Sequence, residues 1–357
     1  MCRWTSWAPR WRPRARRVAG PDQAARATLR RFVNGFQISQ AIHVAATLGI
    51  ADLLADGARP IDELARETET DPEALYRLLR ALAAADVFSE EEGRRFALTE
   101  LGEGLRSDAP GSLAGWAAYI AGPASWQAWG ALLHSVRTGE NAFRHVHGAD
   151  AWSWRTERPA ESAIFDRAMM TTTRTMNRAL VDSYDFGRFG TVVDVGGGNG
   201  ALLAALLAAY PTLRGVLFDL PHVVAGADDV LRGAGVADRC RVVEGSFFDG
   251  GIPEGGDAYV LKAIVHDWED PESLAILRAC RGAMADGAVL LLIERVLGPP
   301  NEDLVTKLID LNMLVHPGGR ERTLEEYDSL LEVGGFELVG ATSTPAGISV
   351  IEAAPSA

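Results

Sequence analysis

Thr191-Val-Val-Asp-Val-Gly-Gly-Gly-Asn-Gly200 runs directly into Ala201-Leu-Leu-Ala-Ala-Leu-Leu-Ala-Ala209. A β-branched apolar run, a glycine-rich turn and an apolar helical stretch make the opening strand–turn–helix of an α/β domain. Glycines at such a turn let the backbone reverse sharply and let a ligand come close to the helix start. Four more short apolar runs follow: Gly215-Val-Leu-Phe-Asp219, Arg241-Val-Val243, Ala258-Tyr-Val-Leu261 and Val289-Leu-Leu-Leu-Ile293. Helical stretches such as 201–209 and 273–284 separate most of them. Strands alternating with helices specify a parallel sheet covered on both faces, which is a doubly wound α/β fold over residues 186–357.

Upstream the period is helical. Leu29, Phe32, Val33 and Phe36 recur at helical spacing, then Ile42, Ala45 and Leu48. Pro60 opens a short helix through Ile61, Leu64 and Ala65, and Asp71-Pro72 caps the helix holding Leu75, Leu78, Leu79 and Leu82. Phe88 and Phe96-Ala-Leu98 flank a charged turn at Gly93, as in a two-stranded wing. Helix, helix, wing is a winged-helix pattern, and it gives residues 21–107 as one domain. DNA binding does not follow from it, because Asp71, Glu73 and Asp86 outweigh Arg77 and Arg80 on the helix that would meet phosphate. Dimerisation through residues 26–107 is the expected use. Residues 108–185 are helical and form the linker and pocket region. Most of their tryptophans (Trp116, Trp126, Trp129, Trp152, Trp154) are expected in the core.

The 357 residues suggest more than one core, and a net charge of −13 argues against nucleic acid as the partner. No apolar run approaches the ~18 residues needed to cross a bilayer. Residues 1–17 carry six arginines and no acid, yet lack the apolar segment of a secretory signal, so residues 1–20 are read as a disordered basic tail. Cys2, Cys240 and Cys280 are too scattered for a disulfide frame, Cys240 and Cys280 read as core, and a cytoplasmic location is expected.

The glycine loop admits two ligands. Gly196, Gly198 and Ala201 fit the dinucleotide pattern G-x-G-x-x-G/A, while Asp194, Gly196, Gly198 and Gly200 fit D-x-G-x-G-x-G, a methyltransferase motif. A dinucleotide presents an anionic pyrophosphate, whereas S-adenosylmethionine presents a sulfonium and an ammonium. A carboxylate at the strand end opposes the first and helps the second. Asp194 therefore favours S-adenosylmethionine. Asp219 closes the second strand, where an acid can accept the ribose hydroxyls of either cofactor. It could instead cap a helix ahead of Pro221. His266 lies beyond the carboxyl end of a strand, where doubly wound sheets place their ligands, and Glu294 and Glu321 stand at comparable positions.

At these residues the chain resembles the plant-type, caffeic acid-like small-molecule O-methyltransferases, including the bacterial enzymes that tailor aromatic polyketides. The matching segments are Val193-Asp-Val-Gly-Gly-Gly-Asn-Gly200, Phe218-Asp-Leu-Pro-His222, His266-Asp-Trp268, Ile293-Glu294 and Gly318-Gly-Arg-Glu-Arg-Thr323. They keep family order over about 190–350, and the helical N-terminal half fits the family's dimerisation domain more loosely. The resemblance implies a homodimer whose catalytic set is His266 as general base with Glu294 and Glu321 fixing or polarising the imidazole. It implies that Asp194, Gly196, Gly198 and Asp219 hold S-adenosylmethionine, with Ser246 and Phe247 flanking the adenine and Lys262 nearby. Phe165 and Met169, joined by Asn312 and His316, fall where the family lines its acceptor pocket. The plant enzymes carry an acid at the Ser246 position, so this chain departs from them in its adenine contact. The implied acceptor is a small aromatic secondary metabolite.

A phenol near pKa ~10 giving its proton to a His near ~6.5 is uphill by about 3.5 units, roughly 5 kcal/mol, and a neighbouring carboxylate lessens that. An acidic phenolic or enolic hydroxyl is favoured over an aliphatic one. No metal is required, since the sulfonium is already activated and the sequence shows no compact acid cluster. Three rivals remain: a relative that binds S-adenosylmethionine but hydroxylates or decarboxylates a polyketide, a nicotinamide oxidoreductase, and a winged-helix regulator.

Overall fold

A computed structural model describes residues 21–356; residues 1–20, read above as a basic tail, lie outside the described residues. Three short strands, β1 (Arg59–Pro60), β2 (Phe88–Glu91) and β3 (Arg95–Leu98), form an antiparallel wing in the order β1-β3-β2. Seven more, β4 (Thr191–Val195), β5 (Arg214–Asp219), β6 (Cys240–Glu244), β7 (Ala258–Lys262), β8 (Val289–Glu294), β9 (Phe336–Ser343) and β10 (Ser349–Pro355), form one sheet in the order β6-β5-β4-β7-β8-β10-β9. β4 to β8 are parallel, as their apolar runs require. β9 and β10 complete the sheet as an antiparallel hairpin against β8, two strands that the apolar-run pattern did not reveal.

Alternation along the parallel strands sends side chains into two cores. Val192, Val260, Leu291 and Ile293 face one layer with the helix Ala201–Ala209. Val193, Val195, Tyr259, Leu261, Leu290 and Leu292 face the other with the helices Asp270–Ala283 and Leu324–Gly334. Cys280 is buried in this second core, and Cys240 packs half-buried against the first. The strand order reverses at β4, so the crevice beyond β4 and β7 is where a ligand belongs in such a sheet.

The N-terminal domain has its own core, built from Ala45, Ile50, Leu64, Leu75, Leu79, Leu82, Phe88 and Phe96. Asp71 caps its helix as expected, its Oδ1 accepting the Ala74 N–H at 2.8 Å. The preceding helices, Pro21–Val33 and Gly35–Thr47, leave Leu29, Phe32, Val33 and Phe36 exposed. The helically spaced apolar stripe of the sequence thus faces outward in the single chain.

The pocket region corrects one expectation. None of Trp116, Trp126, Trp129, Trp152 and Trp154 is fully buried, and Trp152 is 48% exposed. The helices here are short, and their large rings form a wall around a small core of Ala128, Ala142, Phe143, Ala151 and Val315, against which Trp129 and Trp154 pack half-buried. One long helix, Pro159–Ser183, backs that wall and meets the helix Ala114–Ile120 closely enough that a Cβ on Gly115 would lie 3.0 Å from the Ala168 backbone.

Candidate active site

The carboxyl ends of the parallel strands carry nearly every polar group singled out in the sequence. β4 ends in Asp194-Val195 and turns through Gly196, Gly198 and Gly200, all at positive φ. At Gly196 a side chain is also excluded by space, since a Cβ would lie 2.6 Å from Ile264 Cδ1. Asp219, ending β5, accepts from the Gly198 N–H at 2.8 Å and the Leu220 N–H at 2.7 Å. It therefore ties the glycine loop to β5, and Leu220, not Asp219, is the cap residue of the short helix at Pro221.

Asp194 is 1% exposed, and neither of its oxygens has a hydrogen-bond partner. Burial pushes its carboxyl up to about 7, against the pull of Lys262 and with a further push from Asp219. Burial equally lowers the Lys262 amine, which feels both Asp194 and Glu294. Lys262 thus stands between the glycine loop and the acids beyond it. Past β6, Ser246 Oγ accepts the Phe248 N–H at 3.2 Å, and Phe247 sits edge-on to Trp268 at 6.2 Å.

The second group gathers around His266, in a 3-10 turn after β7. The chain reaches it through Ala263, held at φ 53 in the left-handed region where a Cβ is strained. His266 Nδ1 lies 3.0 Å from Glu321 Oε1 and 3.7 Å from Glu294 Oε2, while Nε2 lies 3.6 Å from Asp267 Oδ1. Glu294, at the end of β8, is fixed by the Ile264 and Val265 N–H groups on Oε1, at 3.0 and 2.8 Å. Glu321 arrives on a loop that the sheet does not include. Gly319 presses on the His266 turn so tightly that a Cβ there would lie 2.1 Å from the His266 carbonyl oxygen. The buried Arg322 then locks the two segments, donating to the carbonyls of Val265 and Trp268 at 3.1 Å each and to Asp270 at 2.8 Å.

Desolvation by itself lowers the imidazole pKa, but the charges of Glu294, Asp267 and Glu321 together outweigh it and raise His266 to about 10. Glu294 is pushed up to about 7, first by burial, opposed by His266 and aided by Glu321. The sequence shows no compact acid cluster, yet the fold builds one: His266, Glu294 and Glu321 offer ligand atoms all within 4.8 Å of one another. The 3.0 Å Nδ1–Oε1 separation is a hydrogen bond, and the arrangement serves a proton first.

The expected acceptor residues form a third group. Asn312 Oδ1 accepts from Trp129 Nε1 at 3.3 Å, and His316 is fully enclosed, its ring 6.2 Å from Tyr119 and 5.7 Å from Phe143. Tyr119 meets Phe165 edge-on at 5.2 Å, which links these residues into one wall. Met169, one turn beyond Phe165 on the same helix, is half-buried. Asp267, Arg322, Tyr119 and Arg155 were missed in the sequence. Asp267 and Arg322 carried a signal, their adjacency to His266 and Glu321 within the matching segments; Tyr119 and Arg155 acquire partners only in the fold.

An O-methyltransferase domain matches residues 129–337, and an O-methyltransferase dimerisation domain matches residues 31–108. The phenazine O-methyltransferase PhzM of Lysobacter antibioticus is 42% identical over 92% of this chain and 95% of its own length. The O-demethylpuromycin-O-methyltransferase of Streptomyces alboniger is 45% identical over 91% of this chain and 88% of its own. Among solved structures, human N-acetylserotonin methyltransferase in complex with S-adenosylmethionine superimposes with a TM-score of 0.86 at 28% identity, covering 95% of this chain and 100% of that one.

Proposed function

This chain belongs to the S-adenosylmethionine-dependent O-methyltransferases, and from that membership we propose that His266 is the general base toward a phenolic or enolic hydroxyl of a small aromatic acceptor. The enzyme class and the cofactor come with the family. The observation that carries the base is the Nδ1–Oε1 bond of 3.0 Å to Glu321, with Glu294 at 3.7 Å behind it. Nδ1 donating to a carboxylate leaves Nε2 as the nitrogen that takes the acceptor's proton.

The glycine crevice fits the cofactor by charge. Asp194 is buried without a partner, and a cationic ligand is what an enclosed, unpaired carboxylate calls for. Asp194, Gly196, Gly198 and Asp219 would hold it, with Ser246 and Phe247 at the adenine and Lys262 alongside. Bound S-adenosylmethionine supplies an electrophilic methyl group. The chain's own residues orient the acceptor, exclude water and hold its proton at His266 Nε2. A phenol near ~10 matches an imidazole raised to about 10, so the transfer itself is close to level. The cost moves to having a neutral imidazole at working pH, three units or roughly 4 kcal/mol at pH 7.

An aromatic acceptor is also in keeping with the relative named for phenazine. We read the N-terminal domain as the contact of a homodimer, since it is the family's dimerisation domain. Among the described residues no helix is long and apolar enough to cross a membrane. The test is His266→Ala with labelled S-adenosylmethionine and a panel of phenolic acceptors. Turnover should fall about 10²–10⁴-fold while cofactor affinity, read by calorimetry, stays within a few-fold. Full turnover in the variant would remove His266 from the chemistry; loss of cofactor binding would make it structural.

A further inference from the structure

Beside the acceptor wall stands a cation that forms no ion pair within 4.0 Å among the described residues. Arg155, on the short helix Ala151–Thr156, is 7% exposed, and its Nη1 has no hydrogen-bond partner. Its guanidinium carbon lies 3.8 Å from the Phe165 ring centroid, 4.7 Å from Trp152 and 5.9 Å from Tyr119. The deeply buried Arg322, by contrast, pairs with Asp270. Among the described residues Arg155 has no such pair within 4.0 Å, although Asp267 is near enough to feel its charge. Ring faces recover only part of what a guanidinium loses on leaving water. A buried charge without its partner marks the place of one that arrives from outside.

A second buried group lies near enough to feel the charge of Arg155. His316 is 1% exposed, and both of its ring nitrogens lack partners. Burial, and then the charge of Arg155, pull it down to about 4, so it is neutral at working pH with one N–H to give. Tyr119 lies between the two, ring to ring with His316 and with Phe165. Planar walls flank a fork of N–H donors that suits a carboxylate held edge-on.

We infer that the acceptor is an aromatic carboxylic acid, its carboxylate received by Arg155 with His316 as a neutral second donor. The inference rests on the acceptor wall proposed above, and it makes Arg155 the residue that selects the substrate class. The fixed carboxylate also sets which ring hydroxyl faces His266, because a planar ring held at one edge keeps few orientations.

The experiment uses the full chain saturated with S-adenosylhomocysteine and two probes, 3-hydroxy-2-naphthoate and its methyl ester, titrated by calorimetry. The wild type should bind the acid about tenfold or more tightly than the ester, a comparison that needs no variant. Arg155→Met should erase that preference by weakening the acid alone, and Arg155→Lys should keep part of it. Equal affinities in the wild type, no binding of the acid, or an equal loss of both probes in Arg155→Met would overturn the inference. Labelled methyl transfer to the acid separates it from the functional reading. A bound but unmethylated acid would count against the phenolic acceptor and leave the anion site standing; methylation without acid preference would do the reverse.

Discussion

At the scale of single residues, two buried carboxylates give opposite tests. Glu294 is the largest of the charges that raise the His266 imidazole. With His266 as the proposed base, Glu294 would act through the imidazole, as a positioning residue whose signature is a pH profile. Glu294→Gln should move the acid limb of turnover to lower pH, because the imidazole then loses its proton more easily. The plateau should fall by less than in His266→Ala, since Glu321 still holds Nδ1. A limb that stays in place would show that Glu294 only anchors the Ile264 and Val265 N–H groups. Asp194 works the other way. Its folded pKa, about 7, lies above the ordinary 3.8 of an unfolded carboxyl. Below pH ~4 it is protonated in both states and contributes nothing. Between ~4 and ~7 the unfolded chain ionises first, so folding loses up to roughly 4 kcal/mol as pH rises. Asp194→Asn should therefore raise the thermal midpoint of the cofactor-free protein at pH 8, leave it nearly unchanged at pH 4, and weaken S-adenosylmethionine binding about tenfold or more. A destabilised variant at pH 8 would mean that the carboxylate is stabilised by contacts other than a cationic ligand.

At the scale of elements, the site depends on two segments meeting, the turn after β7 and the loop that carries Glu321. Their closest approach is Gly319, at φ 70, where any Cβ would strike the His266 carbonyl. Gly319→Ala must separate the segments or strain the backbone, and should cost about 3 kcal/mol or more. A lowered denaturant midpoint with an unchanged slope, together with loss of the raised His266 pKa, is the expected result; a variant as stable as the parent would show that the loops slide apart freely. This approach also explains what the sequence could reveal. β4, β5, β7 and β8 were legible because a strand buried on both faces is a continuous apolar run, and Asp219, His266 and Glu294 follow directly from where such strands end. β9 was not, because Glu337, Gly340, Thr342 and Ser343 interrupt it and its far edge is open. Glu321 was nominated by its motif, but its 3.0 Å contact is made by Gly319 and Arg322 from a distant part of the chain. Arg155 was invisible, since an arginine beside tryptophans at 152 and 154 reads as a solvated position until the helices close around it.

At the scale of the whole molecule, the unsolved face is the first two helices. Leu29, Phe32, Val33 and Phe36 lie along one side of the segment 29–36, and Phe32 is 68% exposed. Single exposed apolar residues are ordinary, but a contiguous run of large ones marks an interface. The second of these helices holds to the rest of the chain through Gln40 Nε2, which donates to the Ala121 carbonyl at 2.8 Å, and His43 Nδ1, 3.2 Å from the Ala117 carbonyl. Of the stripe, Phe36 also meets the pocket region, its ring 6.3 Å from that of Trp126. A second copy of the chain is the occupant that the family's dimerisation domain names, and the overlap with residues 31–108 places three of the four side chains inside it. Phe32→Asp combined with Phe36→Asp would put two charges into the centre of such a contact, each costing several kcal/mol if it stays buried. Light scattering should give twice the 38.3 kDa chain mass for the parent and a single chain mass for the double variant, with circular dichroism unchanged. A parent that runs as a monomer would refute the dimer. A double variant that stays dimeric would move the contact elsewhere on the N-terminal domain. Methyl transfer by the monomeric variant then decides whether the second copy completes the pocket or only steadies it: the wall of Tyr119, Phe165 and His316 comes from one chain, so transfer should fall by no more than a few-fold.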